Sequence, residues 1–268
     1  MKIRFHHTTT YQFDEPVPYG LQRVRLKPKD NAQQKVLDWS MTVNGGVCEA
    51  DYDDAHRNHV SLIRVEEGAE TVEIICAGEV ETISDYNGVV GAHQGYTPLW
   101  LFRQPTALTK PGPAVTALAT QVKPLAGEGE VALLHALCNA IADAVEYKIG
   151  ETDATTTAEE AAQQGQGVCQ DHAHIFISAT RLLGLPARYV SGYLFIEDKV
   201  EQEAGHAWAE AHVTGLGWVG FDVSNRICPD QHYIRVATGR DYADAAPIHA
   251  MTFGGGDTSM LVSLRVDQ

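Results

Sequence analysis

The first third of the chain is built from short apolar stretches with a period near two. Lys2 to Phe13, Leu21 to Pro28, Val36 to Val43, His59 to Val65 and Thr71 to Thr82 are rich in β-branched and aromatic residues. Thr71-Val72-Glu73-Ile74-Ile75-Cys76 shows the alternation expected of a half-buried strand. Turn signals separate the stretches: Asp14-Glu15-Pro16, Pro28-Lys29-Asp30 and Glu67-Gly68. Asn44-Gly45 reads as a hairpin turn. Several strands at this spacing predict a small antiparallel β-sandwich over residues 1–95.

The period changes further along. Residues 96–113 carry Pro98, Pro105, Pro111 and Pro113 and read as a linker. Val131, Leu134, Leu137, Ile141 and Val145 then form one apolar stripe at helical spacing, which Cys138 widens. Thr157 with Glu160 three positions on resembles a capping box. Ala173 to Leu183 is apolar at helical spacing and closes with Gly184 and Pro186. Strands follow at Ala187 to Glu197, His206 to Val213 and Trp218 to Val223, and Met260 to Val266 reads as a final strand. Helices followed by antiparallel strands make residues 114–268 an α+β domain, and the chain as a whole α+β.

Composition narrows the classes. The chain has 268 residues and 44% apolar residues, enough for a sizeable core. Its formal net charge of −15 argues against nucleic acid as a partner, since phosphate binding needs a basic surface. Five cysteines, with no CxxC pair, read neither as a disulfide framework nor as a zinc site. The first residues lack an apolar signal region, and no run of 18 apolar residues suggests a membrane span. The expectation is a cytoplasmic protein with free thiols, no membrane contact, and no cofactor or metal.

One of those thiols is placed for chemistry. In Gly167-Val168-Cys169-Gln170-Asp171-His172, Cys169 stands at the mouth of the predicted helix. Unsatisfied N–H groups of a first turn favour a thiolate there, and the thiolate is the nucleophile. The bland reading is a buried structural cysteine, the usual fate of a free thiol. A nucleophile needs a base, and the base needs an orienting acceptor. In the strand from His206 to Val213, the residues His206, Trp208, Glu210 and His212 share a face. A three-residue loop, Thr214-Gly215-Leu216, pairs Val213 with Gly217, His212 with Trp218 and Glu210 with Gly220. That register sets His206 and Asp222 on one face, within reach of each other; a loop one residue longer or shorter breaks it.

His212 competes with His206 as base, and His172 is the runner-up because it lies three residues beyond Cys169. His206 is preferred because Gly205 leaves a strand end open to a cleft. Glu210 reads as a structural partner for a cation, and Asp171 as a favourable charge at the helix N-terminus. His56 and His59 lack further ligands for a metal. A metal site of Cys169, His172 and His206 and a non-catalytic binding module are the rival readings.

Four segments in order carry a resemblance: Gly-Val-Cys169-Gln-Asp-His-Ala; Arg181-Leu-Leu-Gly-Leu-Pro-Ala-Arg-Tyr-Val-Ser-Gly-Tyr193; His206-Ala-Trp-Ala-Glu210; and Trp218-Val-Gly-Phe-Asp222. They look like the transglutaminase-like cysteine peptidase superfamily in its bacterial form. The β-rich start resembles the N-terminal region that accompanies this domain. The resemblance implies a papain-like, transglutaminase-like α+β core. It also implies a catalytic triad, with Cys169 as nucleophile, His206 as base and Asp222 as orienting carboxylate. One departure is that the family often has Pro-Thr after the aspartate, whereas this chain has Val223-Ser224-Asn225. The expected activity is acyl transfer on a peptide or amide substrate through a thioester. Hydrolysis is favoured over transamidation because no calcium-loop pattern is present. Gln166 and Gln170 are candidate second oxyanion donors, and Trp208, Trp218, Tyr189 and Tyr193 either line the cleft or pack in the core.

Overall fold

In the computed structural model, which describes residues 1–84 and 86–268, the period-two segments become strands. These are β1 (Lys2–Val17), β2 (Tyr19–Val24), β3 (Gln34–Asn44), β4 (Gly46–Asp53), β5 (His59–Val65) and β6 (Ala69–Thr82). In β1 the positions Ile3, Phe5, His7, Thr9, Tyr11 and Phe13 all point inward and are buried. The turn at Asn44-Gly45 is not a hairpin. β3 runs along β6, whereas β4 runs along β5 in the other sheet, so the chain changes sheets there. Gly45 has φ +74°, and a Cβ there would lie 2.2 Å from the Thr71 carbonyl oxygen. The dipeptide dictated a tight turn, but the pairing partner was decided by β6, which sets Ile74 against Val43.

The chain continues through β7 (Val89–Gly91), a 3-10 turn (Leu99–Arg103), α1 (Pro113–Val122), α2 (Glu130–Ala144) and β8 (Glu146–Tyr147). Next come α3 (Ala158–Gln164), β9 (Gln166–Gly167), α4 (Cys169–Leu182), β10 (Ala187–Leu194), β11 (Glu201–Gln202), β12 (His206–Val213) and β13 (Gly217–Phe221). The last elements are β14 (Tyr233–Gly239), α5 (Tyr242–Ala245), β15 (Ile248–Phe253) and β16 (Thr258–Asp267). The stripe on α2 buries Leu134, Leu137, Cys138 and Ile141, while Val131 at its start is exposed. The Thr157–Glu160 capping box forms on α3. Residues 171–181 of α4 are buried, because this helix is packed against α1, α2, α3, β10 and β12. Among the described residues no helix is long and apolar enough to cross a membrane.

The fold is α+β. Two sheets, in the orders β11-β16-β1-β6-β3 and β15-β2-β5-β4, make the N-terminal β layers around Tyr11, Phe13, Val17, Leu26, Ile63, Ile74 and Cys76. A third sheet, β14-β10-β12-β13-β7, carries the helices on one face, with Ala207, Ala209, Ala211 and Phe221 packed into the helical core.

The sheets cut across the division read from the sequence. β16, expected to close the region 114–268, pairs with β1 from Arg4↔Asp267 to Phe13↔Thr258, and β15 pairs with β2. β7, from within 1–95, pairs with β13 in the core sheet. The supposed linker, 96–113, is also packed. Phe102 is buried, and the Arg181 guanidinium donates to the Phe102 carbonyl and the Thr109 hydroxyl. β1 has backbone hydrogen-bonding groups along both edges, and β6 satisfies only one; the returning β16 satisfies the other.

Candidate active site

Cys169 is the first residue of α4. Val168 before it is extended, and its N–H is accepted by the Asp171 carboxylate at 2.8 Å. The same oxygen accepts the Thr152 hydroxyl at 2.7 Å. Gly167 permits this cap, since a Cβ there would lie 2.8 Å from the Asp171 side chain. Asp171 is buried, and burial raises its pKa despite those donors. The first helical bond runs from His172 N–H to the Val168 carbonyl, so the preceding N–H groups have no partner within the helix. Cys169 is half-buried among them.

The register between β12 and β13 is the one a three-residue loop dictates: Val213↔Gly217, His212↔Trp218 and Glu210↔Gly220. It leaves Asp222, just past β13, beside His206, with Nε2 to Oδ2 at 2.6 Å. Asp222 has no exposure. Burial alone would raise its pKa, but it lies lowered because donors surround it. Besides His206, Oδ2 accepts the Tyr233 hydroxyl and the Asn225 amide, each at 2.7 Å. For His206, burial pulls the pKa down, yet hydrogen bonds to Asp222 and to Cys169 outweigh it and raise it to about 10. With Nε2 on the carboxylate, the other ring nitrogen is left for the thiol, the second partner that raises the His206 pKa. At neutral pH the imidazole is therefore an imidazolium bridging a buried carboxylate and a thiol at a helix N-terminus.

Residues 116–223 match the Transglutaminase-like superfamily, and residues 3–81 match the Bacterial transglutaminase-like N-terminal region. The chain joins a bacterial transglutaminase-like N-terminal region to a transglutaminase-like core. A solved structure from Cytophaga hutchinsonii named "Putative Cysteine Protease" has a TM-score of 0.78 and 25% identity, covering 100% of this chain and 90% of that one. The "Uncharacterized protein ML0607" of Mycobacterium leprae is 28% identical, with 99% of this chain and 98% of that protein covered. Rv2569c of Mycobacterium tuberculosis is 27% identical over 97% of this chain and 90% of its own.

Other candidates in this transglutaminase-like core fall elsewhere. His172 is not available to the thiol: Nε2 donates to the Val145 carbonyl at 3.0 Å and Nδ1 meets the Ser224 hydroxyl at 2.9 Å. It is excluded both as base and as a third metal ligand by those bonds. His212 packs its ring against Trp218, six residues along β12 from His206. Glu210 binds Arg188 at 2.5 Å and Arg235 at 2.7 Å, the cation partnership expected of it. Gln166 Oε1 accepts from Lys148 at 3.3 Å, and Gln170, which lines the cavity beside Cys169, donates one amide hydrogen to the Ala154 carbonyl at 3.4 Å. Among the described residues no group of three or more His, Cys, Asp or Glu is arranged to hold a metal ion.

A cavity of about 270 Å³ opens beside Cys169 and His206. Tyr189 and Tyr193 line it, whereas Trp208 packs on the His206 ring and Trp218 lies beneath Arg188. Sequence reasoning missed four residues here. Asn225 and Tyr233 hold Asp222, and His7 and Thr9 of β1 form part of the cavity wall. Asn225 sits in the segment that replaces the usual Pro-Thr, where Asp222 and Ile227 bridge and fold the loop back. Tyr233 lies on β14, which carried no periodic signal. His7 and Thr9 did carry one: they interrupt an otherwise apolar inward stripe.

Proposed function

We propose that the chain is a cysteine-dependent acyl-transfer enzyme that hydrolyses peptide or amide bonds, with Cys169, His206 and Asp222 as its catalytic triad. The observation that carries this reading is the His206 imidazole held between buried Asp222 and Cys169 at the start of α4. Cys169 Sγ attacks the carbonyl carbon, and the oxygen that gains charge is held by the Cys169 N–H. The His206 imidazolium gives its proton to the leaving amine as the C–N bond breaks, which leaves a thioester and a neutral imidazole. That imidazole takes a proton from water as the water oxygen attacks. The acid departs, the thiolate returns, and His206 is again the imidazolium. Asp222 keeps the ring oriented and stabilises its charge throughout.

The test is a screen of peptides and amides by mass spectrometry, with and without an added primary amine. Acid and amine fragments whose masses sum to that of the substrate plus one water, lost in Cys169→Ala, support hydrolysis. Amine adducts formed in preference to acid would replace it by transamidation. Turnover that survives in Cys169→Ala would remove the thiol from the mechanism. Reaction with iodoacetamide at pH 6 supplies an independent readout. Cys169 should be alkylated first, since burial and nearby Asp51 raise the pKa of exposed Cys48, and burial raises Cys76, Cys138 and Cys228 further.

A further inference from the structure

The inward face of β1 reads Ile3, Phe5, His7, Thr9, Tyr11, Phe13. Apolar residues occupy both ends, and two polar ones lie in the middle at 4% and 2% exposure. Buried polar residues need an explanation that buried apolar ones do not. His7 and Thr9 lie on the wall of the cavity that also holds Cys169 and His206. Tyr193, on the same wall, completes a chain: His7 Nδ1 meets the Tyr193 hydroxyl at 3.0 Å, and Nε2 meets the Thr9 hydroxyl at 2.9 Å. Burial keeps His7 neutral, with its pKa lowered to about 4. A neutral imidazole and two hydroxyls carry three hydrogens between them. The two contacts use two, in either tautomer. One hydroxyl hydrogen, on Thr9 or on Tyr193, is therefore left without an acceptor among the described residues.

The rest of the wall is largely apolar, with Leu26, Val236, Ile248 and Val262; Gln170 and Ser191 also line it, each bonded to a backbone carbonyl, and among the described residues no Asp, Glu, Lys or Arg does. The one charged lining residue, His206, is already matched by Asp222. A charged ligand group would lose its water with nothing to replace it. Size points the same way. A cavity of about 150 Å³ accepts benzene, so about 270 Å³ has room for a substituted ring. The acyl part of a substrate stays bonded to sulfur through both half-reactions, while the amine leaves and water enters. A walled cavity alongside the thiol suits the part that stays.

Resting on the proposed function, we infer that this cavity selects an uncharged, bulky apolar acyl group, such as an aromatic side chain, that bears a hydrogen-bonding oxygen for the His7–Thr9–Tyr193 chain. The N-terminal β region thus supplies specificity to the core's thiol.

Acetylated chloromethyl ketones of alanine, glutamate, phenylalanine and tyrosine, which alkylate thiols directly, test this on the intact chain with mass-spectrometric mapping of Cys169. The phenylalanyl and tyrosyl ketones should react at least about tenfold faster than the alanyl and glutamyl ones, the scale of discrimination by apolar burial. Tyrosyl should exceed phenylalanyl, and Thr9→Val and Tyr193→Phe should each lower that ratio. The ratio within one variant is its own control for loss of folded protein. Equal rates for alanyl and phenylalanyl ketones, or a preference for glutamyl, overturn the inference while leaving the nucleophile intact. Failure of both iodoacetamide and every ketone to prefer Cys169 overturns the proposed function instead, and this inference with it.

Discussion

Strand β12 meets two carboxylates with no exposure, its own Glu210 at mid-strand and Asp222 beside its first residue, and treats them differently. At mid-strand Glu210 sits between the Arg188 and Arg235 guanidiniums. Burial would raise its pKa, but the two cations hold it down to about 2. Arg188 also lies over the Trp218 ring at 3.9 Å, and burial lowers it only to about 10. This cluster is an ion group at any ordinary pH, and every strong partner is a permanent one. At the His206 end Asp222 is held by a tyrosine hydroxyl, an asparagine amide and a histidine. Only the histidine can change charge, and it alone reaches the thiol and the cavity. A buried carboxylate saturated by arginines fixes geometry. A buried carboxylate with one titratable partner passes its charge outward to a reacting group.

Replacements at the two carboxylates and the thiol should separate these roles. Cys169→Ala should reduce turnover to background with the thermal midpoint little changed. Asp222→Asn should follow, with kcat lower by about 10³ to 10⁴ in steady-state assays. Near-normal kcat in that variant would erase the distinction between the two carboxylates. Glu210→Ala should act on the fold instead. Urea denaturation should show a loss of about 3–5 kcal/mol, because two guanidiniums are left buried without their anion.

The pH dependence should differ between the two sites as well. His206 is raised above the ordinary histidine value, so its stabilising contribution is complete below about pH 6.5 and is lost as pH rises through about 10. Turnover should fall over the same alkaline limb as the imidazolium is lost. Glu210 is lowered, so its contribution is present above about pH 4.3 and is lost only as pH falls through about 2. Urea midpoints from about pH 1.5 to pH 11, and kcat over the alkaline part of that range, check both. An alkaline limb unchanged by Asp222→Asn would detach His206 from its carboxylate. The smallest effect is expected at His172, whose ring nitrogens are both bonded away from the thiol; His172→Gln should change kcat by less than about tenfold.

Much of this site was readable along the chain because it rests on local rules. Cys169 at a helix mouth follows from glycines before it and an apolar helix after it. The His206–Asp222 face follows from strand parity and a three-residue loop, which fix register without any distant contact. Elements without a period were lost: β4 is almost wholly exposed, and β14 is wholly buried, so neither alternates. Asn225 and Tyr233 converge on Asp222 only because a bridge at Asp222–Ile227 turns the chain.

The amino-acid sequence by itself determined the α+β class, the helix carrying Cys169 and the pairing that aligns His206 with Asp222, since each depends on residues a few positions apart. Tertiary structure alone decided that β15 and β16 return to the N-terminal layers, that β7 joins the core sheet, and that His7 and Thr9 face the same cavity as the thiol. Those contacts join residues more than a hundred positions apart. No periodicity encodes which strand will satisfy a free edge, and the choice is made by burial of complementary faces when the layers close.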